Sequence, residues 1–228
     1  IADVFQAKDG ELGRIVALKR IRIRDAYDRT CVQRFEFEAQ VTGRLEHPGI
    51  VPIYGFQHDD AGRPFYAMRM IRGAALGEAI RAFHATYPDD NRSSEGTVAL
   101  QQLLRSFLKV CEAVAYAHGQ GIIHRDLKPG NIMVGEYGET LVVDWGLAKQ
   151  LGESDPASQE TTPGDSVRET PTHKSRAGDV IGSPAYMSPE QAAGQTAQVS
   201  MCSDIYGLGA TLYAILTGRS PVDGATLL

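Results

Sequence analysis

The feature that most restricts what this chain can fold into is HRDLKPGN at His124 to Asn131, followed thirteen positions later by DWG at Asp144 to Gly146. An acid, a lysine, an amide and a second acid at fixed spacings are the residue types a phosphoryl transfer needs. That reaction depends on positioning and charge neutralisation more than on covalent help. Asp126 is placed to accept or orient the proton of an attacking hydroxyl, and Lys128, two residues on, reaches the transferring phosphate as a point charge. Asn131 and Asp144 offer hard oxygen atoms to magnesium, an ion that takes few protein ligands and fills its shell with phosphate and water oxygens. The bland alternative, a loop histidine beside stray surface acids, does not account for so many residue types recurring in order.

Upstream, GRIVALKRIRI at Gly13 to Ile23 alternates as a strand does, which puts Ile15, Ala17, Lys19, Ile21 and Ile23 on one face. A lysine on an apolar face requires an anionic partner, either a carboxylate or a nucleotide phosphate, because an unpaired buried ammonium is costly. The next segment, Asp28 to Leu45, has helical spacing, and its apolar stripe of Phe35, Val41 and Leu45 also contains Glu38. Lys19 paired with Glu38 satisfies both groups; two snorkelling surface charges are the weaker reading. PFYAMRMI at Pro64 to Ile71 reads as a further strand. From Val98 to His118 the spacing of Leu100, Leu103, Phe107, Cys111 and Val114 predicts an amphipathic helix ending at Gly119, with His118 interacting with the helix end.

Together these segments resemble a eukaryotic-type (Hanks-type) serine/threonine protein kinase domain of bacterial style, over nearly all 228 residues. GSPAYMSPEQA at Gly182 to Ala192 resembles the end of an activation segment, and SDIYGLGATLYAILTG the central helix of the large lobe. The resemblance implies an α+β, two-lobed fold: a small antiparallel-sheet lobe with one main helix at 1–72, a mostly helical lobe at 73–228, and an activation segment at 144–190. It implies ATP with Mg2+, or Mn2+ in its place, and protein serine or threonine hydroxyls as acceptors. Lys19 and Glu38 then form the ion pair that is closed in an active kinase. Val4 and Ala17 would pack on the adenine, Met68 would stand at the back of the nucleotide pocket, and backbone groups of Met70 and Ile71 would hydrogen-bond the base. Ser183, where the family usually carries threonine, would contact the incoming hydroxyl residue together with Lys128. Asp204 would brace the catalytic-loop backbone, although Ser203 and Asp204 also read as a helix N-cap.

The stretch from Gln150 to Val180 lacks Phe, Tyr and Trp, carries Pro156, Pro163 and Pro171, and is rich in Ser and Thr. It reads as a mobile activation loop. A phosphate there would pair with Arg125 and order the substrate platform, the candidate acceptors being Thr161, Thr162, Thr170, Thr172 and Ser175. An unmodified, solvated loop is the alternative. A shorter polar insertion runs from Thr86 to Thr97.

Departures from the family pattern are equally informative. Ala2 stands where the third glycine of the nucleotide-covering loop normally is, and the first two would precede Ile1. The last helices would follow Leu228, so the chain is expected to be a piece of a longer protein. On that reading the central helix exposes an apolar face and Glu190 lacks its arginine partner. Trp145 replaces the usual Phe of the metal motif; its larger ring must fill the pocket behind the metal site, and a buried indole N–H wants an acceptor.

A 43% hydrophobic content suffices for one catalytic domain, and a formal net charge of −5 argues against a general nucleic-acid binder. Cys31, Cys111 and Cys202 lack metal spacing and read as buried thiols in a reducing, cytoplasmic compartment. No run is long and apolar enough to cross a membrane, so any anchor would lie in segments outside this sequence. Self-association for autophosphorylation is a further expectation. Two competing classes are a pseudokinase scaffold, which would typically have lost Lys19, Asp126 or Asp144, and a small-molecule phosphotransferase, which GSPAYMSPE disfavours.

Overall fold

The alternating segment at Ile15–Ile21 forms a strand, β2, in the computed structural model, which describes residues 1–88, 93–151 and 184–222. It lies inside an antiparallel sheet with β1 (Ala2–Lys8), β3 (Ile53–His58) and β4 (Pro64–Arg69), in the order β1-β2-β4-β3. Val4 faces Lys19 across one pair and Lys19 faces Tyr66 across the next, so the three share a face of the sheet. The strand stops at Ile21. Ile23, expected on the same face, is 64% exposed, because the Arg22 amide turns to the Ile1 carbonyl and the amides of Asp25 and Ala26 fold back onto the Arg22 carbonyl.

Helix α1 (Arg29–Arg44) starts where Asp28 accepts the Thr30 amide at 2.8 Å, satisfying one of the free donors of its first turn. Its buried stripe of Phe35, Glu38, Ala39, Val41 and Thr42 packs on the sheet. Phe35, Ala39, Ile21 and Tyr66 form a small core there, with the Phe35 and Tyr66 rings 5.2 Å apart. The acid in this apolar stripe is therefore carried to the inner face of the sheet by the same periodicity that folds the helix.

After β4 the chain passes through β5 (Gly73–Ala75) into α2 (Leu76–Thr86). β5 pairs with β7 (Ile132–Gly135), which pairs in turn with β8 (Thr140–Val142). Gly73 is required at this crossing: a Cβ would lie 2.0 Å from the Val134 carbonyl oxygen. Helix α3 (Ser94–Gly119) begins four residues before the expected Val98, because Ser93 caps it by accepting the Gly96 amide at 3.0 Å. Its polar first turn carries no apolar spacing from which to read it. β6 (Ile122–Ile123) pairs with β9 (Lys149–Gln150), and α4 (Pro189–Ala192) and α5 (Met201–Thr217) follow. The larger core joins Phe83 of α2, Val110 and Leu103 of α3 and Ile215 of α5 to Trp145. Each such large side chain contributes roughly 1.5–3 kcal/mol by burial. The architecture is thus α+β, an antiparallel sheet with one helix followed by a mainly helical part.

Two expectations need correction at this level. The cysteines are not all buried: Cys31 and Cys111 are half-buried, and Cys202 is exposed in the first turn of α5. The cap of α5 is Ser200, in a capping box with Ser203, which leaves Asp204 inside the helix and free of capping duty.

Candidate active site

Asp204 sits in the first turn of α5, 2% exposed, and its carboxylate organises the HRD loop. Oδ2 accepts the His124 amide and Oδ1 the Arg125 amide, both at 2.8 Å. His118 Nε2 also reaches Oδ2 at 2.8 Å. The expected contact of His118 with its own helix end is thus replaced by a bridge to a neighbouring helix, since α3 and α5 pack side by side. Arg125 adopts φ 69, an uncommon left-handed conformation for a residue with a Cβ. Asp204 holds its amide, and Gln191 Nε2 donates to its carbonyl at 2.6 Å. Gly207 lets α5 approach closely, since a Cβ would stand 3.1 Å from the Leu127 carbonyl oxygen.

The loop held in this way presents Asp126. Its Oδ2 accepts Lys128 Nζ at 2.7 Å and Asn131 Nδ2 at 2.9 Å, and Asn131 Nδ2 also donates to the Asp126 carbonyl at 2.8 Å. Because the amide nitrogen is committed to Asp126, Asn131 turns its oxygen, the harder donor, to other partners. His124, fully buried, accepts the Asp126 amide on Nδ1 at 3.2 Å while Nε2 faces the Val143 carbonyl at 3.2 Å. That pair of contacts needs the ring proton on Nε2.

Opposite the loop, Lys19 Nζ lies 2.5 Å from Glu38 Oε1 and 3.3 Å from Asp144 Oδ1. Burial pulls the Lys19 pKa down, but the negative charges of Glu38 and Asp144 outweigh it and hold the pKa above the ordinary lysine value. Burial pushes Asp144 up, and the positive charge of Lys19, with that of Lys128, more than offsets this, keeping its pKa below the usual carboxylate range. Asp144 takes the uncommon φ of 66, and its side chain is half exposed. Gly146 makes room for the ion pair: a Cβ there would lie 3.2 Å from Glu38 Oε2 and 3.4 Å from Asp144 Oδ1.

These groups surround one cavity of about 530 Å³, whose lining includes Val4, Lys19, Met68, Asp126, Asn131 and Asp144. Its volume is that of a small-molecule site. Ala17 is buried in β2 as the cross-strand neighbour of Met68, and Met70 and Ile71 follow β4; none of the three lines the cavity. Lys128 borders a second cavity of about 350 Å³ with Glu78, Arg81 and Tyr186. Ser183 and the loop residues Thr161, Thr162, Thr170, Thr172 and Ser175 lie outside the described residues. Glu190 accepts Ser203 Oγ at 2.6 Å and has no arginine partner among the described residues.

Among the described residues no cluster of three or more His, Cys, Asp or Glu side chains could hold a metal ion. One carboxylate and one amide oxygen, from Asp144 and Asn131, fit a hard cation that shares its remaining positions with phosphates and water. Trp145 is fully buried with its ring 4.6 Å from that of His124, and its Nε1 has no acceptor among the described residues. Tyr66 escaped the sequence reading: its hydroxyl donates to Glu38 Oε1 at 2.7 Å. Its one sequence signal is a tyrosine within the PFYAMRMI strand segment, two residues before Met68.

The protein kinase domain family model matches residues 1–227. The serine/threonine-protein kinase PknD of Protochlamydia amoebophila is 39% identical over 230 residues, covering 100% of this chain and 23% of its own length. The probable serine/threonine-protein kinases PknB of Corynebacterium glutamicum and of Bifidobacterium longum are 34% and 35% identical, each over 98% of this chain and over 30% and 29% of their own lengths. The chain therefore spans less than a third of the curated relatives it matches. With its sheet, its loop braced by Asp204 and its Lys19–Glu38 pair, the chain belongs to the protein kinase domain family, of the bacterial serine/threonine type.

Proposed function

We propose that this chain transfers the γ-phosphate of ATP to serine or threonine hydroxyls of proteins, with magnesium, or manganese in its place, as the metal. The observation that carries this reading is the convergence of Lys19, Asp126, Asn131 and Asp144 on one cavity. Lys19, held by Glu38, orients the nucleotide phosphates. Asp144 and Asn131 would hold the cation, which would neutralise phosphate charge. Asp126 receives the proton of the acceptor hydroxyl, and Lys128 offsets charge developing on the transferred group. Val4 and Met68 line the nucleotide cavity; Ala17 supports Met68 from β2, and the backbone of Met70 and Ile71 receives the base. Retention of all the groups that a pseudokinase typically loses favours transfer over a scaffolding role.

The acceptor peptide enters over the second cavity, which Lys128 and Tyr186 both line, and Ser183 contacts the acceptor residue. The small lobe is 1–72, the large lobe 73–228 and the activation segment 144–190. Phosphorylation at Thr161, Thr162, Thr170, Thr172 or Ser175 regulates the enzyme through Arg125, with self-association bringing two copies together for autophosphorylation. No helix among the described residues is long and apolar enough to cross a membrane. The catalytic domain works in the cytoplasm on this reading, and any membrane attachment is made through other segments.

Intact mass measured with and without Mg-ATP, beside an Asp144→Asn twin, tests the reading. Phosphate is expected on the unmutated protein alone, and peptide mapping then assigns the acceptor. A folded protein that transfers phosphate neither to itself nor to generic protein substrates would overturn it. Trp145→Phe is expected to keep kcat within about threefold, because the ring packs behind the site and Asp144 is untouched; the lost contacts are partly offset by removal of a buried N–H without an acceptor among the described residues. A phosphorylation assay on a folded variant checks this.

A further inference from the structure

We propose that Tyr66 is a positioning residue for phosphoryl transfer, a neutral hydrogen-bond donor that keeps Glu38 aimed at Lys19; the inference rests on the kinase reading of this site. Lys19 is the ammonium that both nearby carboxylates share, at 2.5 Å from Glu38 and 3.3 Å from Asp144. Glu38 is 6% exposed, so its carboxylate is buried and depends on the few donors within reach to hold its orientation. Tyr66 supplies a second donor beside Lys19. Its hydroxyl donates to Glu38 Oε1, the same oxygen that Lys19 contacts, at 2.7 Å.

The tyrosine is well fixed for that task. It is 3% exposed, registered directly across from Lys19 in the sheet, and its ring is packed against Phe35 of α1. Sheet and helix are therefore tied twice at one point, once by ring packing and once by the hydroxyl. Burial and the charge of Glu38 both push the phenol pKa far above its ordinary value, so the hydroxyl keeps its proton and remains a donor. Because the donor is neutral, it holds Glu38 without competing with Lys19 for the nucleotide or adding charge to the cavity. α1 is thereby fastened in the position that closes the ion pair, by a bond that leaves the remaining ammonium protons of Lys19 to the phosphates.

Tyr66→Phe removes the oxygen and keeps the ring, so packing against Phe35 is preserved. The expected result is a loss of about tenfold in kcat/KM for ATP, with faster amide exchange in α1 around Glu38 and an unchanged exchange pattern in α3. A double-mutant cycle with Glu38→Gln separates mechanism from packing. If Tyr66 acts through Glu38, adding Tyr66→Phe to Glu38→Gln costs less than about twofold further. Fully additive losses, or Tyr66→Phe with wild-type kcat/KM and α1 exchange, would overturn the proposal. Failure of the kinase reading has a different signature: wild type itself transfers no phosphate, and the α1 exchange of Tyr66→Phe against wild type then decides the positioning claim alone.

Discussion

Replacing Asp126 with asparagine is expected to lower kcat about a thousandfold while Mg-ATP binding stays within about threefold of wild type, as general-base contributions of roughly 10²–10⁴ imply. The substitution is nearly isosteric. The introduced amide can still accept from Lys128 or Asn131 through its carbonyl oxygen, so the 2.7 and 2.9 Å contacts are loosened but the loop is not displaced. What disappears is the negative charge that balances the Lys128 ammonium and, on the proposed mechanism, receives the proton. On the proposed mechanism nucleotide affinity rests on Lys19, Asp144 and the apolar cavity walls, which the substitution leaves alone. Single-turnover phosphorylation beside calorimetric Mg-ATP titration separates the two quantities. Wild-type turnover in this variant would remove Asp126 from the role of base.

The second large effect is on stability. Asp204→Ala should cost about 3–5 kcal/mol, the range for removing one member of a buried charged contact. The carboxylate serves the amides of His124 and Arg125 and the ring of His118, and no solvent reaches the site to replace it. An N-cap role would cost only about 1 kcal/mol, and Ser200 already fills it. Chemical denaturation of the variant therefore distinguishes a brace from a cap. Turnover should fall with it even below the melting temperature, since Arg125 would relax from its φ of 69 and carry Asp126 with it. A denaturation midpoint within error of wild type would mean that Gln191 and the packing of Gly207 hold the loop without Asp204.

Much of the fold could be read because its signals are local. The alternation in β2 and the apolar stripe of α1 each lie within a few residues, and both elements form within a residue or two of the expected limits. Where the reading slipped, local pattern was overruled by a hydrogen bond or a cap. Ile23 left the strand when the Arg22 amide found the Ile1 carbonyl, and α3 started early because Ser93 supplied an acceptor.

By itself the sequence determined which chemistry-bearing groups the chain owns and on which face of its own element each one stands. The HRDLKPGN and DWG spacings, Lys19 on a strand face and Glu38 in a helix stripe are consequences of backbone periodicity. Tertiary structure alone decided which partners those faces meet. Lys19 and Asp144 are 125 residues apart in sequence, His118 and Asp204 86, and Tyr66 and Glu38 28. No period encodes such separations. Each contact exists because a buried polar group must find a partner where packing has excluded water, and the packed elements fix which partner is within reach.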